Sequence, residues 1–335
     1  MLTAETIAAG SEETASQAQV QVAVLIPCLN EEAAIGTVIA GFRAALPKAA
    51  IYVYDNGSSD GTRDVARSAG ALVRREMHRG KGNVVRRMFA DVDADVYVLV
   101  DGDSTYDACS AQAMIARLVE DRLDMVVAAR TDGDPMAYRP GHRTGNRLLT
   151  RFFASAFNAV FTDVLSGYRV FSRRFVKSFP VLSRGFEIEI ELAVHALELE
   201  LPVAEIPTPY YARPQGSASK LSTWRDGFRI VATIIGLYRS ERPLAFFFAI
   251  GILLASASIA LAIPIFITYL QLGIVPRIPT AILSTGLMLL AFLSIVAGLI
   301  LDTVTRGRRE MKLIAYLAQQ PPGEDRERRL MLSGR

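Results

Sequence analysis

Cysteine is nearly absent from this chain: Cys28 and Cys109 are the only two in 335 residues. With no paired Cys motif and no His–Cys spacing, a disulfide framework and a structural zinc site are excluded, and a reducing compartment fits. The three histidines, His78, His142 and His195, form no triad or metal spacing and read as structural. The formal net charge is only +3, too small to imply nucleic acid as a partner. The N-terminus lacks a basic stretch followed by an apolar core, so no cleaved signal peptide is expected and residues 1–20 read as a mobile leader. No long uncharged run occurs before residue 243, and two occur after it.

Half of the chain is apolar while 21% is charged, which excludes both disorder and a purely integral membrane protein. Apolar β-branched runs at 21–27, 51–54, 71–75, 96–100 and 124–129 read as strands. Helical patterns follow at 30–46, 62–69, 83–92 and 111–120. Strands alternating with helices at this spacing predict an α/β domain with a largely parallel sheet. Beyond it, 143–160 reads as an amphipathic helix and 162–171 as loop and strand. Residues 187–199 alternate like a strand and then continue like a helix, and their length favours the helix. Residues 204–211 read as extended.

Ligands of such sheets bind beyond the carboxyl ends of strands. Three loops with polar chemistry sit there: 27–32, the run DNGSSDGT at 55–62, and Asp101-Gly102-Asp103. Residues i and i+2 of an extended chain project to one side, so Asp101 and Asp103 can face one point. Two carboxylates there suit Mg²⁺ or Mn²⁺ beside a substrate's phosphates, or else form a plain Asp-Gly turn. Gly80-Lys81-Gly82 is neither a phosphate-binding Walker loop nor a dinucleotide fingerprint. Lys81 either steadies a diphosphate or sits on a solvated basic turn.

The late apolar runs cover 243–276 and 278–301, each longer than the roughly 20 residues that cross a bilayer core. Spans are expected near 244–269 and 279–301, joined by a tight loop at Gly273 and Pro276. Basic residues flank the outer ends, at Arg229, Arg239 and Arg242 and at Arg306, Arg308, Arg309 and Lys312, whereas the connecting loop has only Arg277. The positive-inside rule then puts both termini and the large domain on the cytoplasmic side of the inner (cytoplasmic) membrane. Residues 221–238 carry Leu221, Trp224, Phe228, Val231, Ile235 and Tyr238 at helical spacing and read as a juxtamembrane interfacial helix. The tail after 320 reads as mobile.

Six motifs occur in order: IPCLNEE, DNGSSDGT, GKG, VDGDSTYD, SGYRVF and RPQGSASKL. Together with the hairpin they resemble the family 2 glycosyltransferases of GT-A fold, specifically the polyprenyl-phosphate type, over residues 21–301. The resemblance implies a Rossmann-like domain at 21–212. An acceptor-phosphate loop and interfacial helix would follow at 213–243, the hairpin at 244–301, and a basic cytoplasmic end at 302–335. Pro27, Leu29, Glu31 and Asp55 would hold the nucleotide, with Lys81 and Gly102 beside the donor's diphosphate. Asp101 and Asp103 would hold Mg²⁺ or Mn²⁺. A related family has a third ligand where Thr105 stands here, so Tyr106, Asp107 or water would complete the shell. Arg130 matches a position that contacts donor phosphates. Arg213, Ser219 and Lys220 match the lipid-phosphate clamp, with one extra residue between glycine and serine; Ser166 is a further acceptor-site candidate. The implied partners are a nucleotide sugar, a polyprenyl phosphate, the bilayer and further copies of the chain, a tetramer among the options.

A lipid phosphate is already an anion at neutral pH. The expected mechanism is therefore inverting displacement without an essential general base. Glu187 and Glu189, on what reads as a surface helix, are the carboxylates to suspect otherwise. Two rivals are a processive polysaccharide synthase and a non-catalytic membrane scaffold or sugar-nucleotide sensor. The first lacks its QxxRW motif here, since Thr223-Trp224-Arg225 has the wrong order. The intact Asp101, Asp103, Arg213 and Lys220 argue against the second.

Overall fold

The computed structural model describes residues 20–132, 142–159, 161–214 and 223–320. The expected leader and tail lie outside these, as do Ser219 and Lys220. By contact density the chain forms two units, Met1–Ile230 with Lys312–Arg335, and Val231–Met311.

The first unit is built on a seven-stranded sheet: β1 (Val22–Cys28), β2 (Ala50–Asp55), β3 (Leu72–Arg75), β4 (Val96–Leu99), β5 (Met125–Asp132), β6 (Arg169–Ser172) and β7 (Val203–Tyr210). The order is β3-β2-β1-β4-β6-β5-β7, and only β6 runs antiparallel to its neighbours. Every residue of β4 is buried, so the β-branched run pairs on both sides rather than alternating. The crossover helices are α1 (Glu32–Ala45), α2 (Thr62–Ser68), α3 (Lys81–Asp91) and α4 (Ser110–Glu120). Each turns an apolar stripe to the sheet; in α1 it is Ile35, Val38, Ile39 and Phe42. Then come α5 (His142–Phe157), the short α6 (Arg173–Ser178) and α7 (Ile188–Glu198). The Ser172 hydroxyl starts α6 by accepting from the Phe175 N–H at 3.2 Å, a cap that period-based reading passes over. The expected helix at 187–199 is present as α7, but it is not a surface helix. Its residues Ile188 to Ala196 are buried.

Topology gathers the site. β1, β2 and β4 are parallel, so Cys28, Asp55 and Val100 leave the sheet at one edge. Because β6 is antiparallel, its first residue, Arg169, pairs with Leu99 there. β7 runs parallel to β5, which brings Arg130 and the chain leading to Arg213 to the same edge.

At the opposite edge, Asp124 is buried and holds Ser172 Oγ at 2.6 Å and Arg174 Nε at 2.6 Å. The helix α8 is Thr223–Glu241, and α9 (Pro243–Leu272) and α10 (Ile278–Leu317) follow it. The end of α10 belongs to the first unit: Tyr316 donates to Asp124 at 2.8 Å and Lys312 to Glu198 at 2.5 Å. Both α9 and α10 are long and apolar enough to cross a membrane, and both exceed the spans expected from sequence. Within the second unit they meet where Gly251 faces Ile295 and Gly298 faces Phe247, and Ser258 Oγ donates to the Ser284 carbonyl at 2.6 Å. Their other faces, with Leu253, Phe266 and Leu293, are exposed.

Candidate active site

The loops after β1 and β2 are knitted together before any ligand is considered. Asn30, at φ 52°, accepts from the Ser59 N–H at 2.8 Å, and its own N–H donates to Ser58 Oγ at 2.9 Å. The Glu31 N–H donates to Thr62 Oγ1 at 2.8 Å. Asp55 is fully buried and accepts from the N–H groups of Gly57 (3.2 Å) and Ser58 (3.0 Å), an Asx turn that shapes the 55–62 run. Glu31 is also buried, whereas Pro27 and Leu29 are half-buried at the strand end. The four positions matched to nucleotide binding thus lie on adjoining loops at one edge.

Asp101-Gly102-Asp103 leaves β4 beside them. A side chain at Gly102 would collide with Cys28 Sγ, so this glycine is set by the close passage of β1. Ser104 adopts φ 60°, an uncommon left-handed conformation for a non-glycine residue at a site loop. The Thr105 hydroxyl donates to Asp103 Oδ1 at 2.6 Å. Thr105 therefore steadies the carboxylate in the place where a third ligand was sought. Asp107 is committed to the start of α4, accepting from Ser110 N–H and Oγ. The buried Tyr106 hydroxyl accepts from the Gly167 N–H at 2.9 Å. Among the described residues no group of three or more His, Cys, Asp or Glu side chains could hold a metal ion. Two carboxylates with water and substrate oxygens are still a fitting donor set for Mg²⁺ or Mn²⁺. Tyr106 and Asp107 have other work, so water is left to complete such a shell.

Each of these carboxylates has a cation of the chain against it. Lys81 Nζ lies 2.5 Å from Asp101 Oδ1 and 2.5 Å from Glu189 Oε1. Its side chain is only 8% exposed, so it is not on a solvated turn. Burial opposes the charge of Lys81, but Asp101 and Glu189 outweigh it and raise its pKa. Burial raises that of Glu189 despite the lysine. The glycines either side explain the placement. A side chain at Gly82 would strike the Ser183 carbonyl, and one at Gly80, at φ 122°, that of Arg184. The Gly82 N–H instead donates to the Arg184 carbonyl at 3.1 Å. The GKG run is thus a packing device that delivers one ammonium between two carboxylates.

Arg213 Nη2 lies 2.6 Å from Asp103 Oδ2. Burial first, and the nearby Asp101 second, push the Asp103 carboxyl up against the pull of Arg213. Arg130 is largely, not fully, buried; it forms a fork on Asp163 at 2.6 and 2.7 Å and lies over the Tyr210 ring. Its fork is satisfied by Asp163, whereas the resemblance implied a contact with donor phosphates. Ser166 is fully buried and belongs to the turn that packs on Asp101, rather than to an exposed acceptor surface. Glu187 pairs with Arg229 at 3.5 Å.

Glu189, suspected from sequence as an alternative base, is turned to Lys81 by the burial of α7, a partnership the alternation of FEIEIEL did not reveal. One residue escaped sequence reasoning. Arg169 is fully buried within SGYRVF and donates to the carbonyls of Ser166 (3.1 Å) and Val164 (2.6 Å), pinning the turn against Asp101. An arginine at the start of a buried strand was the available signal.

The sheet, with an aspartate ending its second strand and Asp101-Gly102-Asp103 leaving its fourth, has the GT-A fold. Residues 23–179 match the Glycosyl transferase family 2 domain. The chain is 34% identical to the glycosyltransferase AglJ of Haloferax volcanii over 88% of its own length and 98% of that protein. It belongs to glycosyltransferase family 2. A dolichyl-phosphate hexose transferase of the same organism is 27% identical over 66% of this chain and 95% of its own. Among solved structures, a glucosyl-3-phosphoglycerate synthase from Mycobacterium tuberculosis superposes with a TM-score of 0.56 at 22% identity, covering 67% of this chain and 82% of that one. That likeness shows the fold; the structure holds Mn²⁺, UDP-glucose and phosphoglyceric acid.

Proposed function

We propose that this glycosyltransferase moves a hexose from a UDP-linked donor to a polyprenyl phosphate of the undecaprenyl type at the cytoplasmic face of the membrane. The observation that carries the reading is the meeting of Asp55, Asp101, Asp103 and Arg213 at one sheet edge, in a chain that continues into two apolar helices of membrane length. The name of the dolichyl-phosphate hexose transferase and the UDP-glucose in the related fold support the two substrates.

In this reading Pro27, Leu29, Glu31 and Asp55 hold the nucleotide. Asp101 and Asp103 hold Mg²⁺ or Mn²⁺, which supplies charge stabilisation to the leaving diphosphate. Lys81 adds a fixed positive charge beside it, and Arg130 reinforces that side of the edge. Arg213, with Ser219 and Lys220, takes the acceptor phosphate. One phosphate oxygen attacks the anomeric carbon, the bond from that carbon to the diphosphate oxygen breaks, and the nucleotide diphosphate leaves. No proton needs to be removed, so positioning and electrostatics carry the rate. Glu189 Oε1 is already engaged by Lys81 Nζ at 2.5 Å, which agrees with a counter-ion role for it.

Calorimetry of the purified protein with UDP and Mn²⁺ tests the donor half. UDP is expected to bind in the presence of Mn²⁺ and to lose at least about tenfold in affinity in Asp103→Asn. Preference for another nucleoside diphosphate, or unchanged affinity in the variant, would overturn the assignment.

A further inference from the structure

The chain that leaves β7 folds back along the loop that follows β4. Tyr210, the last residue of β7, forms an antiparallel bridge with Tyr106, and their rings lie 5.2 Å apart. One step on, the Tyr211 N–H donates to the Thr105 carbonyl at 2.9 Å. The same register carries position 213 to position 103, where Arg213 Nη2 meets Asp103 Oδ2. Opposite residues of an antiparallel pair show their side chains to one side, and neighbours along each segment alternate. Tyr210 accordingly packs its ring on Tyr106 and under the Arg130 guanidinium. Tyr211 falls on the other side with Thr105, whose hydroxyl holds Asp103 at 2.6 Å. Thr105 is buried there, while Tyr211 is 44% exposed.

An isolated exposed aromatic needs no explanation. Tyr211 differs in its place. Its backbone is fixed by the Thr105 bond and, two residues on, by the pair between Asp103 and Arg213, so the ring is presented from a set position. With the donor's diphosphate at Asp101 and Asp103 and the acceptor phosphate at Arg213, the anomeric carbon has to lie between those groups. The hexose it belongs to then occupies the space beside 103–105 and 211–213. A pyranose carries hydroxyls on its rim and C–H bonds on its faces, so a face can cover an aromatic ring while the rim keeps its hydrogen bonds. We propose that Tyr211 is the platform on which the transferred hexose stacks, and so a residue that sets specificity for the donor sugar. The inference rests on the donor and acceptor assignments above. An isoprenoid chain fits this place less well, because it is attached on the side of the acceptor phosphate away from the anomeric carbon.

Calorimetry separates the sugar's contribution from the nucleotide's. The full chain in detergent with Mn²⁺ is titrated with UDP, UDP-glucose, UDP-galactose and UDP-N-acetylglucosamine. For whichever sugar nucleotide binds tightest, Tyr211→Ala should lower the affinity at least about tenfold, while UDP binds as it does to the parent. The unchanged UDP affinity also shows that the variant is folded. Tyr211→Phe should keep the parent's affinity for the sugar nucleotide, since the ring and not the hydroxyl makes the contact. Weakening of UDP and the sugar nucleotide alike, or of neither, would overturn the platform. So would unchanged donor affinity with a raised KM for undecaprenyl phosphate, which puts the ring against the lipid. A parent protein that binds no UDP would instead remove the donor assignment itself, and the platform with it.

Discussion

Lys81→Met isolates the charge logic of the candidate site. Lys81 is the cation for both Asp101 and Glu189, each at 2.5 Å, and Glu189 is nearly as buried as the lysine. Removing the ammonium leaves one buried carboxylate without a counter-ion and a second close by. Breaking a buried pair by deleting one partner costs about 3–5 kcal/mol. For a domain of this size that is a fall in Tm of about 6–20 °C. Glu189 would escape part of the cost by taking up a proton, so the loss should shrink as the pH is lowered towards 5. Replacing both partners, in Lys81→Met/Glu189→Leu, removes the buried charge together with its partner and should recover more than half of the lost stability. Thermal unfolding of the three proteins side by side gives the coupling. A Lys81→Met protein within about 1 °C of the parent, or a double variant no better than the single one, would refute the account of Lys81 as a buried counter-ion.

Three further outcomes follow from particular contacts. His195 lies between Phe175 and Phe179, and burial first, then Lys312, lowers its pKa from 6.5 to about 3. The unfolded chain takes up this proton first, so the stability is present above about pH 6.5 and is lost as the pH falls towards 3; between pH 6.5 and 5 the loss is about 2 kcal/mol. Denaturant titrations at the two pH values should show it, and His195→Gln should flatten the difference. Gly82→Ala forces a methyl group into the Ser183 carbonyl and should cost about 1–3 kcal/mol in chemical denaturation. An unchanged midpoint would contradict the packing role of the GKG run. Arg213 now occupies Asp103, so Arg213→Gln should tighten Mn²⁺ binding to the ligand-free protein about tenfold by calorimetry. Weaker binding would mean that Arg213 does not compete for that carboxylate.

Much of the sheet was legible because its strands are short β-branched runs ending in glycine, asparagine or aspartate. The edge shared by Asp55 and Asp101 followed from parallel crossovers, a rule that needs no side-chain detail. The antiparallel β6 was not legible, since a four-residue strand carries no direction in its pattern, and with it went the reason that SGYR presses on Asp101. The burial of Glu189 against Lys81 was hidden for a related reason. Its alternation with isoleucines looks like a surface rhythm until α7 is buried on every side. The GKG glycines matched no phosphate-loop signature; their neighbours are backbone carbonyls just over a hundred positions on, beyond any local signal. The exposed face of α5 follows the helical period expected for 143–160, but only the packed Phe153 and Phe157 tell which side is left outside.

The central claim is hexosyl transfer onto a lipid phosphate. Its most direct measurement gives the purified protein undecaprenyl phosphate, Mg²⁺ or Mn²⁺ and a panel of radiolabelled nucleotide sugars, then extracts the product into organic solvent. The account predicts an acid-labile, alkali-stable lipid-linked hexose from a UDP-linked donor, abolished by Asp103→Ala. No lipid-linked sugar from any donor, or full activity in that variant, would contradict it.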